Sequence, residues 1–232
     1  MNILYVTSEA VPFCKTGGLA DVAGSLPQSL AANGDRVSVI LPLYQSVADA
    51  WRDRLHFERY TYVRLAWRSL YCGLFSYERQ GVTWYFVDNE QYFKRPELYG
   101  YYDDGERFAF FCRAVTELLP LLPEKPDVVH CNDWHTAMLP MLAKTQYGDV
   151  YSKTRWLLTI HNIAFQGKFG FDFFRDLLRV EDRYFTPEFM ELNGCADYLK
   201  AGCVFADRIN TVSPSYASEI KMPYYAEGLE GI

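Results

Sequence analysis

The stretch that decides the fold runs from Ile3 to Leu30, "ILYVTSEAVPFCKTGGLADVAGSLPQSL". An apolar run, Ile3 to Val6, leads into a loop holding Lys15, Thr16, Gly17 and Gly18. Leu19, Val22, Leu26 and Leu30 then recur at helical spacing, Gly34 supplies a stop, and Pro27 is expected to bend the helix. A strand that hands over to a helix through a lysine and two glycines is a recognisable device. The glycines let backbone N–H groups approach a ligand, and the helix start adds the positive end of its dipole. With Lys15 the whole suits a phosphate or diphosphate; the plainer reading is a glycine-rich turn with a solvated lysine. The pattern is neither a G-x-x-x-x-G-K-[ST] phosphate loop nor a G-x-G-x-x-G dinucleotide fingerprint. The next strand, Val37–Leu41, runs into Pro42-Leu43-Tyr44 and offers no ribose-binding acid.

Working outward, further short apolar runs fall at Val82–Val87, Val128–Cys131, Trp156–Ile160 and Arg208–Val212. Several are continuously apolar, as strands buried on both faces should be. Helical patterns alternate with them at Gly105–Leu122, Trp134–Gln146 and Pro187–Ala206. The alternating aromatic and polar residues of Arg59–Trp84 suggest an inserted antiparallel β-hairpin. The expected fold is α/β: a Rossmann-like, doubly wound, mostly parallel sheet with helices on both sides. Ligands of such sheets sit at the carboxyl ends of the strands, near a switch in strand order.

Composition excludes several classes. The 232 residues are 50% hydrophobic and 22% charged, with a net charge of −6 and no block of like charge, so no basic face for nucleic acid is legible. No run approaches the roughly 20 apolar residues of a membrane span, and no leader is evident, which makes the cytoplasm the expected location. Six cysteines lack C-x-x-C spacing and read as reduced, mostly buried thiols. Aromatics reach 17%. They are expected chiefly in the core, with a sugar-stacking surface as the functional alternative.

The residues after each strand carry the chemistry. His130-Cys131-Asn132-Asp133-Trp134-His135 follows Val128. Asp133 could cap the next helix, or it could accept hydroxyl hydrogen bonds while the Trp134 indole covers a sugar ring. By residue type, His130, Asp133 and His135 could also hold a metal. His161-Asn162 follows Ile160; His161 can donate to a hydroxyl, and Asn162 can both donate and accept. Such neutral groups fit sugar recognition better than acid–base chemistry. The loop Tyr92–Asp104, "YFKRPELYGYYDD", offers either a ligand lid or a plain surface loop.

Taken together, "KTGGLADVAGSLP", "HCNDWHTA", "HNIAFQGKF" and "ADRINTVSPSYASEI" resemble the bacterial glycogen synthase and plant starch synthase family, with support from "PELYGYYDDGERFAFFCRA" and "EGLEGI". The resemblance spans nearly the whole chain and is weakest at Trp51–Arg79. It implies a retaining glucosyltransferase of the two-domain GT-B type, of which residues 1–232 look like the N-terminal half. The expected reaction moves glucose from ADP-glucose to the non-reducing end of an α-1,4-glucan, with no cofactor and no metal. By resemblance, Lys15 contacts the sugar nucleotide, Gly17 and Gly18 lie beside its phosphates, and His161 sits at the transferred glucose with Asn162 beside it. Asp133 and Trp134 match the acceptor and sugar region, and Asp21 and Tyr99 lie in matching motifs. Asn132 stands where many bacterial members have His, and "ELNG" at Glu191–Gly194 replaces a more aromatic pattern. In this family a second, C-terminal domain supplies most of the nucleotide pocket, so the half alone is expected to be nearly inactive.

Transfer with retention passes through an oxocarbenium-like sugar. No strand end here offers the carboxylate pair of a double displacement. The expected contribution is therefore electrostatic, with Lys15 and backbone donors stabilising the departing diphosphate. A nicotinamide oxidoreductase is disfavoured by the broken glycine pattern. A non-catalytic glucan-binding module and a UDP-glucose-dependent relative remain the alternatives.

Overall fold

A computed structural model describes all of residues 1–232. The strands are β1 (Asn2–Val6), β2 (Arg36–Pro42), β3 (His56–Leu65), β4 (Arg68–Arg79), β5 (Val82–Asp88), β6 (Val128–Asn132), β7 (Arg155–Ile160), β8 (Lys168–Phe169), β9 (Glu191–Leu192), β10 (Cys195–Asp197) and β11 (Arg208–Thr211). The helices are α1 (Gly18–Ala32), α2 (Gln45–Trp51), α3 (Glu90–Phe93), α4 (Asp104–Leu118), α5 (Met138–Gln146), α6 (Gly148–Tyr151), α7 (Phe171–Leu178), α8 (Tyr198–Phe205) and α9 (Pro214–Glu219).

Eight strands form the main sheet in the order β11-β7-β6-β1-β2-β5-β4-β3. From β11 to β5 every pairing is parallel; β4 and β3 extend the edge in antiparallel fashion. The six expected strands are all present, each within a residue of its expected bounds. The inserted hairpin is β3–β4, which continues into β5 through Gln80 and Gly81. Both turn residues have positive φ, 52° and 75°, as a two-residue type I′ connection demands. Phe57, Tyr60, Tyr62 and Trp67 of the hairpin are exposed, whereas few rings elsewhere are.

The chain moves from β1 to β2 in one direction across the sheet and from β6 to β7 and β11 in the other. Right-handed crossovers then put α1 on one face and α4, α5 and α8 on the opposite face, where these three pack together. The reversal of winding falls between β1 and β6, and that is where a ligand crevice opens.

Two helical expectations need correction. The buried face of α1 consists of Leu19, Ala20, Ala23, Gly24 and Pro27, while Val22, Leu26 and Leu30 are only half-buried. Small residues face inward because the Val11 segment crosses close above them: Val11 N–H donates to Ala20 O at 3.1 Å, and a side chain on Gly24 would collide with Val11. Pro27 lies within the continuous helix. Pro187–Ala206 is helical only from Tyr198; before it, β9 and β10 form a small hairpin. Its turn residues Asn193 and Gly194 both have positive φ, 54° and 80°. Asn-Gly is the strongest short-range hairpin signal, and it outweighs the apolar spacing around it. No helix is long and apolar enough to cross a membrane. Five of the six cysteines are buried, and all six are free.

Candidate functional site

At the carboxyl ends of β1, β6 and β7 lies a cavity of about 860 Å³. Of the residues singled out from sequence, Gly17, Gly18, Tyr99, Asp133, Trp134, His161 and Asn162 line it together. They come from segments spread over some 145 residues of chain, and only the sheet's crossover geometry brings them to one place.

Asp133 is the joint between two strand ends. Its φ of 56° is left-handed, a region aspartate tolerates better than most residues. That turn aims the carboxylate across to the end of β7, where Oδ1 accepts from His161 N at 2.7 Å and Asn162 N at 3.3 Å. It does not cap α5, which begins five residues later; the Thr136 hydroxyl tidies that turn by donating to Asn132 O at 2.9 Å. Burial outweighs the two amide hydrogen bonds and, with the nearby Glu9 charge, pushes the Asp133 carboxyl up to about 6.

His161 is held by the backbone bond to Asp133 and by its Nε2, 2.9 Å from Asn132 Oδ1. Burial lowers its pKa to about 4, so the ring is neutral at pH 7. Asn162 turns its Oδ1 back to accept from Ala164 N at 3.0 Å, fixing the loop after β7.

Trp134 is largely buried. Its ring packs on Phe108, Phe169 and Tyr198 at centroid distances of 5.2–6.0 Å, and Gly167 presses against its face. It contributes an edge of wall rather than an open platform for a sugar. Tyr99 donates its hydroxyl to Ser8 Oγ at 2.7 Å and stacks on His135 at 4.6 Å. The loop that carries it is anchored. The fully buried Arg107 donates to Tyr92 O at 2.8 Å and Leu98 O at 3.1 Å, and Asp104 accepts from Gly100 N at 2.8 Å. The loop is therefore a fixed wall of the cavity.

The β1–α1 turn forms the remaining side. Gly17 is the N-cap of α1 in an extended conformation, with no side-chain cap. The N–H groups of Gly17, Gly18 and Leu19 donate to no acceptor in the protein, so this helix start is open to an anion. Lys15 and Asp21 are not in the wall. They pair with each other, Nζ to both carboxylate oxygens at 2.7 Å, with side chains half-exposed next to the glycine turn.

Sequence reasoning missed Glu9. Only 3% exposed, it bonds the Thr16 amide and hydroxyl through Oε2 and so shapes the glycine turn, while it also lines the cavity. Its position three residues past the end of β1 was the available signal; no local motif marks it. His135, Phe165 and Val212 also join the wall. The His130–Asp133–His135 metal reading fails on geometry. His130 Nε2 lies 2.6 Å from Thr159 Oγ1, the His135 ring is packed among Tyr99, Phe108 and Trp134, and no three candidate ligands converge anywhere in the chain.

The cavity thus combines an open helix N-terminus, one buried carboxylate pinned by two amides, a second carboxylate and a neutral imidazole. Chemically, that set offers hydrogen-bond acceptors suited to hydroxyl groups and open amides suited to an anion. A starch synthase catalytic-domain family model matches residues 2–232. The glycogen synthase of Geobacillus thermodenitrificans is 48% identical over 100% of this chain, and that of Bacillus subtilis 47%. The chain spans about half the length of these curated relatives, 48% in each case. Among solved structures, the catalytic domain of starch synthase IV from Arabidopsis thaliana, bound to ADP and acarbose, matches with a TM-score of 0.89 at 27% identity, covering 98% of this chain and 48% of that one. The chain belongs to the starch synthase catalytic-domain family.

Proposed function

We propose that this domain is the acceptor side and part of the donor site of a retaining glucosyltransferase of GT-B type. It would transfer glucose from ADP-glucose to the non-reducing end of an α-1,4-glucan, glycogen or starch, in the cytoplasm. The observation that carries this reading is the open amide cluster at Gly17–Leu19 facing His161, Asn162 and Asp133 across one cavity at the switch point. The amides and the α1 dipole would hold the diphosphate, where preorganised donors act as negative charge develops on the leaving group. Glu9 and Asp133 offer oxygens to sugar hydroxyls. His161, neutral at pH 7, orients the glucose without taking part in proton transfer, and the chemistry needs no cofactor or metal in this reading.

Lys15 joins the cradle by leaving Asp21. An exposed pair of this kind contributes roughly 0–1 kcal/mol, so a diphosphate with greater charge displaces the Asp21 carboxylate at little cost. Asp21 acts as the placeholder that keeps Lys15 next to the turn. A second, C-terminal domain would close over the cavity and supply the base pocket, consistent with relatives about twice as long. The test is elongation of maltooligosaccharide by the protein joined to such a domain from a relative, with ADP-glucose and UDP-glucose as rival donors. Chain growth with ADP-glucose supports the reading; glucan binding indifferent to Lys15, with no growth from either donor, would favour a plain binding module.

A further inference from the structure

Beneath the cavity floor lies a buried hydrogen-bond network that the reaction as described does not use. Asn132, at the end of β6, is fully buried. Its Nδ2 donates to Val6 O at 3.0 Å and His130 O at 3.2 Å. Its Oδ1 accepts from Tyr5 Oη at 2.8 Å and lies 2.9 Å from His161 Nε2. The amide cannot be turned over. Reversed, it would set its oxygen against two backbone carbonyls, which only accept, and lose both bonds. Oδ1 is therefore the atom facing His161, and an oxygen with no hydrogen requires one from the ring. Nε2 carries the proton. Because burial holds the imidazole neutral at pH 7, the other nitrogen has none. Nδ1 has no protein partner and, unlike Nδ1 of His135, is not sealed from the cavity.

We infer that Asn132 is a positioning residue that fixes the tautomer of His161, so that the ring meets its ligand only as a hydrogen-bond acceptor, through Nδ1. This rests on the sugar-nucleotide reading above and sharpens it. The sequence suggested a donor histidine; the network reverses its polarity. The site then selects a sugar with a hydroxyl hydrogen to give at that point. It rejects a fluorine, carbonyl or carboxylate oxygen there, because each would face a lone pair with another.

The first measurement is nitrogen NMR of the histidine-labelled protein at pH 7, with His161 identified by the signals lost in His161→Gln. A protonated-type Nε2 and a bare-type Nδ1 are expected; a proton on Nδ1 overturns the proposal. In Asn132→Leu both tautomers should appear, and a single unchanged tautomer would remove Asn132 from the account. Should that variant fail to fold, Asn132→Asp decides. A carboxylate at 2.9 Å raises the His161 titration midpoint by about one pH unit or more, and an unmoved midpoint refutes the contact. The second measurement is binding of ADP-glucose analogues, each with one sugar hydroxyl replaced by fluorine. One position should lose about tenfold or more in affinity, the consequence of an unpaired buried acceptor. Uniform affinity across the set refutes the specificity claim. If ADP-glucose itself does not bind, the functional reading fails, and the NMR result still decides the tautomer.

Discussion

Replacing Asp133 by Asn should make the protein more stable, and only above mildly acidic pH. Burial raises the Asp133 carboxyl from its ordinary 3.8 to about 6. An acid whose pKa is raised on folding is penalised by its own ionisation. Below pH 3.8 the penalty is absent, through the interval from 3.8 to about 6 it grows as the folded form retains a proton the unfolded chain has lost, and above about 6 it is constant. At about 1.4 kcal/mol per pH unit the plateau is about 3 kcal/mol. Asparagine keeps the Oδ1 that accepts from His161 N and Asn162 N and tolerates the left-handed backbone, but carries no charge. Asp133→Asn should therefore gain up to about 3 kcal/mol at pH 8 and almost nothing at pH 4. With a urea dependence of roughly 3 kcal/mol per molar for a chain of this size, the unfolding midpoint moves up by about 1 M at pH 8. Urea titrations of both proteins at pH 4, 6 and 8 make the comparison, and acid effects from other groups cancel in the difference. Equal midpoints at pH 8, or a gain that persists undiminished at pH 4, would refute the reasoning. A stabilised variant with weakened glucan binding would identify the charge as kept for function.

Other outcomes follow from neighbouring groups. On the proposed reading, Lys15→Ala in the protein joined to a relative's C-terminal domain should lower kcat/KM for ADP-glucose far more than glucan affinity while changing stability by no more than about 0.5 kcal/mol, since its Asp21 pair is exposed; equal losses for donor and glucan count against the cradle. Burial holds the imidazoles of His130, His135 and His161 down to about 4, 3 and 4. The unfolded chain takes up protons at these rings first, so their contribution to stability is lost as pH falls from 6.5 towards 4. His135→Phe should flatten that acid decline in urea midpoint by close to one proton, and an unchanged slope would be inconsistent with a buried neutral ring. Gly167→Ala should cost at least about 2 kcal/mol, because a φ of 68° is strained for alanine and the new methyl would enter the Trp134 indole. A urea midpoint equal to wild type would contradict that packing.

How much was legible in the sequence depended on the range of the interaction. Strands declared themselves through apolar runs, and the K-T-G-G turn declared the crossover, because both signals are local. The α1 stripe was misjudged for a tertiary reason: the overlying Val11 segment selects small residues, so Ala20, Ala23 and Gly24 are buried where Leu30 is not. The β9–β10 hairpin was marked by Asn193-Gly194, but the surrounding apolar spacing read as helix. Asp133 was singled out either as a helix cap or as an acceptor of sugar hydroxyls; its bond to His161 spans 28 residues and no periodicity encodes it. Glu9 escaped because a buried acid with a backbone partner has no motif. The polarity of His161 rests on Asn132 held by the Val6 carbonyl, 126 residues away in the chain.

The Gln80–Gly81 turn has a practical bearing. It lies at the amino end of β5, while the cavity opens at the carboxyl ends of the parallel strands, and the seven residues of β5 at about 3.3 Å each set the two roughly 20 Å apart. A dye, spin label or tethering peptide grafted at that solvent-facing corner would hang beneath the molecule, leaving the crevice unobstructed. The protein could thus be immobilised or tracked by this underside while ligands of the cavity are added and removed above.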